Sequence, residues 1–486
     1  MKQPWLWVAL ACALFLAEEL PLFQHRWVED ESWQSIPAYA LLTERRIRNP
    51  TFAETDAEYE ACVKPPAHTF VLLPMFKWFG VGVWQARLPS LAAGLGVVVL
   101  TFLLSREMAG QAAGVASAWL VATDNTLFLA GRTARPEIFV AFCALVAAIL
   151  AARSLNASGL RLALGSGLAV GGAMMFHPSG AATAAATGGL IAAQSGIRCL
   201  RDKRLWTCVG AALMVGVAFL AWSHSTPAHS EAFAMTYSRG EKLSLLEKLR
   251  GEVGRYADYL GVGNLRLNVG VPIPVRAHIV AAIGAAFVIV GWKNRKLCAA
   301  LLLLTIPYLL WWAYLLNKTS RYFAVVAPFF AIALATAACM LAADPKWRTA
   351  ALTVCVVVFL SQIAGNVILL SKSRAADFTA VQGQLRQLIP AEASVYGAIT
   401  FWPALHDRPY YSYERMPFDY AVQKRRPQYL ILNDRVMVKG MGWGLDDWAK
   451  LRKEANAFAR QHGRLAGRVS NSFYGDLEIY RLDYKL

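Results

Sequence analysis

The feature that most constrains this 486-residue chain is a series of uncharged apolar runs, each long enough to cross a bilayer. A helix needs about 20 apolar residues to span roughly 30 Å of hydrocarbon, where lipid offers no partner to exposed backbone groups. The predicted spans are residues 4–23, 84–104, 111–129, 135–152, 161–176, 179–196, 205–223, 277–292, 297–316, 322–342 and 349–370. The sequence therefore predicts a polytopic α-helical membrane protein with about eleven transmembrane helices.

Lysine and arginine indicate how these helices are oriented. With the N-terminus in the cytoplasm, every second turn is basic, as the positive-inside rule requires. The basic turns are 106, 153–161, 198–204, 293–296 and 346–348. This orientation predicts outer, periplasmic loops at 24–83 and 224–275, and it leaves residues 371–486 on the same side.

Net charge and cysteine usage narrow the class of protein. The net charge is +17, which in a soluble protein would suggest nucleic acid. No nucleic-acid motif is present, and basic membrane loops with anionic lipid partners explain the excess. Most of the eight cysteines lie in or beside apolar runs and no CxxC occurs, so neither a disulfide framework nor a zinc or redox site is indicated.

After residue 370 the composition changes. Residues 371–486 contain 18 basic and 12 acidic side chains and no run long enough to cross a membrane. Strand-like pieces occur at 394–401, 428–432 and 477–482, and helix-like pieces at 378–388 and 446–462. We therefore expect two domains, a membrane domain at 1–370 and a soluble α/β domain at 371–486.

Three consecutive carboxylates, Glu29, Asp30 and Glu31, follow the first span. A solvated loop end is the ordinary interpretation of an acidic triplet. The flanking Trp27 and Trp33, however, would hold the triplet at headgroup depth. A carboxylate there can take a proton from a hydroxyl nucleophile when burial brings its pKa towards neutrality.

Several cations lie on the same predicted side of the membrane. They are Lys64 before two prolines, Arg87, the pair Arg132 and Arg135 with Glu137, and Arg321 followed by Tyr322; His177 ends another outer helix. The ordinary interpretation is that these side chains snorkel, or that Glu137 pairs with a nearby arginine. Binding of a phosphate is the functional alternative.

Together these pieces resemble the GT-C superfamily of membrane glycosyltransferases, closest to the bacterial branch with the protein O-mannosyltransferases and the lipid A aminoarabinose transferase. The matching motifs are Asp30-Glu31, Lys64-Pro65-Pro66, Gly80 with Ala86-Arg87-Leu88-Pro89-Ser90, Arg135-Pro136-Glu137, and Arg321-Tyr322 with Pro328. They occur in the family's order over residues 28–330. Some relatives carry an aspartate where this chain has Glu137.

The resemblance implies a GT-C-like fold and Asp30 as the catalytic carboxylate, with Glu31 as the second acidic position. It also implies that Lys64, Arg87, Arg135, Arg321 and Tyr322 contact the donor phosphate. Glu29, Arg132, Glu137 and His177 are supporting candidates. Which of the three carboxylates is the base stays open at this point.

The expected activity is transfer of a sugar from a polyprenyl phosphate, undecaprenyl phosphate in a bacterium, to a lipid, glycan or protein acceptor. The resemblance implies inversion, at a site on the periplasmic face of the inner (plasma) membrane. No cofactor is indicated, although a divalent metal near His177, His224 or His229 is weakly signalled. The alternative is a lipid-linked sugar flippase or transporter that uses the same cations without chemistry. The lack of an internal repeat argues against it.

Overall fold

The computed structural model describes residues 3–52, 65–157, 159–225, 230, 244, 246–247, 249–250, 277–314, 320–414, 416–433 and 445–484. Within them, the helices of seven residues or more are α1 (Pro4–Glu19), α2 (Glu29–Glu44), α3 (Ala67–Phe79), α4 (Val83–Ala109), α5 (Gln111–Ala122), α6 (Asn125–Gly131), α7 (Glu137–Ala157), α8 (Leu160–Phe176), α9 (Ala181–Ser195), α10 (Lys203–Ser223), α11 (Ala277–Lys293), α12 (Arg295–Tyr314), α13 (Ala327–Ala342), α14 (Pro345–Ser373), α15 (Phe378–Leu388) and α16 (Leu445–His462).

The chain is mainly helical, as predicted, and several of its helices suit a membrane. Among the described residues, α4, α7, α10, α12 and α14 are long and apolar enough to cross one. Four shorter apolar helices are α5, α8, α11 and α13. The count of about eleven spans stays a prediction.

Two predicted spans are interrupted by polar or proline residues. The span predicted at 111–129 ends at Ala122, because the Asp124 side chain caps a new helix by accepting from the amides of Thr126 at 2.8 Å and Leu127 at 3.2 Å. The span predicted at 322–342 begins as a 3₁₀ turn at Ser320–Val325 and becomes α-helical only at Ala327. The Asp124 cap decides the first boundary, and Pro328 lies in the first turn of the helix at the second.

Small residues let the membrane helices approach one another closely. A Cβ built on Gly167 of α8 would lie 2.2 Å from the carbonyl oxygen of Cys208 in α10, and one on Gly171 would lie 2.5 Å from Val215. The Ser166 hydroxyl donates to the carbonyl of Ala147 in α7 at 2.9 Å. Small-residue contacts and interhelical hydrogen bonds are the usual means by which helices associate in lipid.

The described residues of the C-terminal region form a five-stranded mixed sheet with helices, in the order β2-β1-β3-β5-β4. The strands are β1 (Val395–Gly397), β2 (Tyr410–Ser412), β3 (Tyr429–Asn433), β4 (Gly463–Asn471) and β5 (Gly475–Leu482). β1 pairs in parallel with β2 and β3, while β5 is antiparallel to β3 and β4. All five residues of β3 are buried, so this strand is the core of the sheet.

The secondary structure of this region follows the prediction except at the end of β1 and at the two edge strands, β2 and β4, which were not predicted. The helix predicted at 378–388 is α15, capped by the Asp377 side chain. The strand predicted at 394–401 stops at Gly397 and gives way to a 3₁₀ turn at Ile399–Ala404, which contains Pro403. β4 was not predicted, because most of this edge strand is exposed and lacks the alternation that marks a half-buried strand.

The described contacts divide the chain into two compact units. The first contains Met1–Pro21, Lys64–His68 and Leu88–Leu370. The second contains Leu22–Val63, Thr69–Arg87 and Ser371–Leu486. The acidic first loop therefore belongs to the same unit as the C-terminal sheet, and an independent domain at 371–486 stays a prediction.

Candidate active site

The first turn of α2 consists of the three carboxylates predicted as the catalytic cluster. Val28 is extended, and Glu29, Asp30 and Glu31 follow as the first three helical residues. Carboxylates are favoured there because the unpaired amide groups of a helix start carry a partial positive charge. The Glu31 carboxylate also accepts from the Val28 amide at 3.1 Å. The triplet is therefore a structured helix start and not a solvated loop end.

Glu31 and Arg87 form a buried bidentate ion pair. Arg87 Nε lies 2.7 Å from Glu31 Oε1, and Arg87 Nη2 lies 2.7 Å from Glu31 Oε2. The Glu31 side chain is 0% exposed and the Arg87 side chain is 1% exposed. A buried ion pair is stable only when the geometry is good and the remaining polar atoms also find partners.

The other N–H groups of Arg87 hold the segment that leads into α2. Nη1 donates to the carbonyls of Phe23 and His25, the latter at 2.8 Å, and Nη2 donates to that of Arg26 at 2.9 Å. With the two bonds to Glu31, all five N–H groups of the guanidinium are used. The predicted contact of Arg87 with a donor phosphate would require this arrangement to open.

The backbone of this segment is strained where the carbonyls converge. Leu22 and Arg26 both have φ of 55°, a left-handed conformation that costs roughly 1–2 kcal/mol for a residue other than glycine. The bonds from Arg87 to the carbonyls of this turn offset that cost. We refer to Arg87, Glu31 and the segment 23–26 as the arginine clamp.

The clamp distinguishes the three carboxylates. Glu31 is buried and its charge is countered by Arg87, whereas Glu29 and Asp30 are each partly exposed. Burial is the main cause that raises the pKa of the Tyr413 phenol well above its usual value. The charge of the Glu29 carboxylate makes a smaller contribution in the same direction, so this carboxylate faces Tyr413. Successive helical residues point about 100° apart, so the neighbours of Glu31 project differently. The geometry favours Asp30 and Glu29 over Glu31 as the group that exchanges a proton.

C-terminal residues support the start of α2, a contact that sequence reasoning missed. The Tyr474 hydroxyl donates to the carbonyl of Trp27 at 3.0 Å, and burial raises the pKa of this phenol well above its usual value, so it stays neutral. The Trp27 ring also lies 6.2 Å from that of Phe378 in α15, and its Nε1 donates to the Ser32 hydroxyl at 2.7 Å. The aromatic residues of the tail were the only signal that could have indicated this role.

The middle of α2 is held in the same way. The Tyr39 ring makes edge contacts with Trp402 and His406, each at 5.6 Å between centroids. Burial lowers the pKa of His406, so its ring is neutral near pH 7. The amide of Ser412 in β2 donates to the carbonyl of Thr51 at 2.8 Å. The carboxylate helix thus packs on the C-terminal sheet region within the second unit.

In the first unit, the predicted phosphate ligand Arg135 is bound to Glu137. Arg135 Nη2 lies 2.6 Å from Glu137 Oε1, and Nε lies 3.1 Å from both carboxylate oxygens. Arg132 lies over the Phe128 ring at 4.7 Å and donates to the carbonyl of Pro21 at 3.0 Å. This is the ion-pair interpretation of the Arg-Pro-Glu motif, and phosphate binding by Arg135 stays a prediction.

His177 and Tyr322 lie together in the first unit. The His177 ring is 5.4 Å from that of Tyr322, which in turn stacks on Trp312 at 6.1 Å. His177 Nδ1 accepts from the Ser179 amide at 3.1 Å and so caps the following turn. Nδ1 of this histidine is therefore engaged by Ser179 and is not open to a metal ion.

The other predicted residues lie wholly or partly outside the described residues, or contact only their neighbours in the chain. Lys64 and His229 lie outside the described residues. The backbone of Arg321 is part of the 3₁₀ turn Ser320–Val325, but its side chain does not belong to the described part of the structure. The His224 ring is 3.0 Å from the Ser223 hydroxyl. In the described part of the chain, no three His, Cys, Asp or Glu side chains come together in a way that would hold a metal ion.

A second polar cluster, buried between α1, α6 and α14, was not singled out in the sequence. Asn366 Nδ2 donates to Glu18 Oε2 at 2.7 Å, and Gln362 Nε2 donates to Asp124 Oδ2 at 3.1 Å. The Asn125 side chain donates to the Gln362 carbonyl at 2.6 Å. Buried polar residues in membrane helices usually pair in this way. Glu18, Gln362 and Asn366 are polar residues within apolar runs, and this feature of the sequence could have indicated a buried polar cluster.

The chain resembles known proteins in both sequence and fold. The family described as dolichyl-phosphate-mannose-protein mannosyltransferase matches residues 63–222. ArnT from Cupriavidus metallidurans, in the apo state, is 14% identical with a TM-score of 0.65, over 98% of this chain and 97% of that one. The same protein bound to undecaprenyl phosphate is 14% identical with a TM-score of 0.64, over 100% and 99%.

The oligosaccharyltransferase of Archaeoglobus fulgidus, tethered to an acceptor peptide with the NVT sequon, is 12% identical with a TM-score of 0.59. That similarity covers 99% of this chain and 74% of the other. The chain has the fold of the GT-C glycosyltransferases. The resemblance inferred from the motifs is thereby confirmed. No curated protein matches the chain.

Proposed function

We propose that this protein transfers a sugar from a polyprenyl phosphate to an acceptor at the periplasmic face of the inner membrane. The observation that carries the proposal is the acidic start of α2, where Glu31 is neutralised by Arg87 while Asp30 stays partly exposed. The GT-C fold, and a structural neighbour bound to undecaprenyl phosphate, support a lipid-linked donor. Undecaprenyl phosphate is the form that we expect in a bacterium.

The proposed reaction is a single displacement with inversion. An acceptor hydroxyl or phosphate oxygen attacks the anomeric carbon while the bond from that carbon to the donor phosphate breaks. The electron pair leaves with the phosphate, and the proton of a hydroxyl acceptor passes to the Asp30 carboxylate. Because the leaving group is already anionic, fixed cations contribute more than a general acid would.

The predicted phosphate-binding cations fall into two groups, those whose side chains are described in the structure and those whose side chains are not. Lys64 and Arg321 are the proposed ligands of the leaving phosphate, on the resemblance alone. Arg135 would join them by exchanging its ion pair with Glu137 for one with the phosphate, since a guanidinium can bind two oxygens of either group. Arg87 is a positioning residue, because its N–H groups are committed to the clamp.

Sugar transfer by the purified protein in nanodiscs tests the proposal. With a polyprenyl-phosphate sugar and a hydroxyl acceptor, the enzyme releases free polyprenyl phosphate, whereas a flippase moves the lipid and releases none. Asp30→Asn keeps the shape and removes the charge, so donor binding should persist while turnover falls about 10²–10⁴-fold. Because the resemblance places the base at Asp30, Glu29→Gln should lower turnover least, and Glu31→Gln should lie between these two variants.

Two results would contradict this assignment. A near-normal rate for Asp30→Asn with an inactive Glu29→Gln would move the base by one residue. Near-normal rates for all three carboxylate variants, at matched expression and at several pH values, would remove the proposed reaction.

A further inference from the structure

A cavity of about 300 Å³ lies in the second unit beside the end of α16, and none of its lining residues is given a role above. Its lining includes Gln423, Arg426, Phe458, His462, Asp483 and Tyr484. The volume is at the low end of the range for small-molecule pockets, roughly 300–1,000 Å³. The cavity therefore suits a single small ring better than an extended ligand.

One side of the cavity is aromatic. The partly exposed ring of Phe458 lies 4.6 Å from that of His462 and 6.1 Å from that of Tyr484, between centroids. Phe418 supports it from behind at 5.5 Å. The Tyr484 hydroxyl donates to the Pro427 carbonyl at 2.9 Å, which fixes that ring. The rings of Phe458 and Tyr484 thus form an apolar floor.

The other side is polar, and its backbone is strained. Arg426 has φ of 46° and ψ of 60°, a left-handed residue that closes a π-helical turn at Ala421–Arg425. Such conformations cost about 1–3 kcal/mol, and both strain and π-turns are frequent at functional sites. The turn presents an exposed Arg426 and an exposed Gln423, and Asp483 supplies a carboxylate to the same cavity.

We propose that this cavity binds one neutral hexopyranose ring of a glycan. The apolar C–H face of the sugar would stack on Phe458 and Tyr484, while hydroxyls would accept from Arg426 and Gln423 and donate to Asp483. Arg426 and Asp483 give the lining one charge of each sign, so the cavity suits a neutral ligand better than a phosphate or other anion. This glycan site is separate from the transfer reaction and does not depend on it.

The test uses the intact protein in nanodiscs and ligand-observed saturation-transfer NMR with D-glucose, D-mannose and maltose as probes. Arg426→Gly removes the guanidinium and keeps a residue that tolerates positive φ, so the protein should fold at least as well. It should weaken binding about tenfold or more. Phe458→Leu keeps an apolar side chain but no aromatic face, and it should weaken binding as well.

Two controls locate the binding. Lys424→Ala, an exposed neighbour in the same turn, should leave the dissociation constant unchanged, and Asp30→Asn should leave it unchanged too. Binding lost in Asp30→Asn would place the sugar at the transfer site instead and overturn the proposal. Three other results would also overturn the proposal. They are a lack of binding by all three probes, binding of inorganic phosphate that is stronger than that of the sugars, and undiminished sugar binding by both Arg426→Gly and Phe458→Leu.

Discussion

The arginine clamp makes the most direct prediction, through the substitution Arg87→Met. This change keeps a long side chain but leaves the Glu31 carboxylate, 0% exposed, without its ion partner. Breaking a buried pair by removing one partner costs roughly 3–5 kcal/mol. The substitution also leaves the carbonyls of Phe23, His25 and Arg26 without their donor, and Leu22 and Arg26 keep their left-handed strain.

We therefore expect Arg87→Met to reduce the free energy of unfolding by at least about 3 kcal/mol and to reduce sugar transfer with it. Arg87→Lys keeps the charge but loses the five-donor fork, so its free energy of unfolding should lie between those of the unsubstituted protein and Arg87→Met. An SDS titration of the purified protein gives the free energy of unfolding. Arg106→Met, at the other end of α4 where the guanidinium only lies over Phe102 at 5.3 Å, is the matched control and should cost less than about 1 kcal/mol.

A double-mutant cycle sharpens the experiment. If Arg87 and Glu31 act as a pair, the loss in Arg87→Met with Glu31→Leu should be smaller than the sum of the single losses, by about 1–3 kcal/mol. Additive losses would show that the pair has no energetic meaning. Normal stability of Arg87→Met with weaker binding of donor lipid would refute the clamp and restore Arg87 as a phosphate ligand.

Three further predictions each concern a single residue. Lys64→Ala should weaken donor binding or turnover by roughly 1.5–3 kcal/mol in the nanodisc transfer assay, and unchanged values would show that Lys64 only snorkels. Tyr474→Phe leaves the Trp27 carbonyl without its donor and should cost about 1–3 kcal/mol in the SDS titration, with a reduced transfer rate. Burial raises the pKa of the Glu414 carboxyl from 4.5 to about 7, so the folded state binds the proton more tightly and stability falls as the pH rises through that window. Glu414→Gln should therefore raise the unfolding free energy by about 1–3 kcal/mol at pH 8 and by less at pH 5, and equal effects at both would contradict the shift.

Much of the fold could be predicted because the signals are local. Apolar runs indicated membrane helices, and the boundaries of α15 and β3 follow from their own residues. The misses lie where a capping side chain or solvent exposure decides, as at Asp124 and along β4. In the candidate site, the acidic triplet was identifiable from its position after a span, yet nothing local separates Glu31 from Asp30.

The sequence by itself determined the class of protein, the carboxylate cluster and its place in the chain, because hydropathy, charge and motif order are properties of neighbouring residues. The tertiary structure alone decided which partners these groups have. Arg87 reaches Glu31 across 56 residues, and Tyr474 reaches Trp27 across 447. Such contacts depend on how distant segments pack, and a buried charge accepts whichever partner that packing brings within hydrogen-bonding distance.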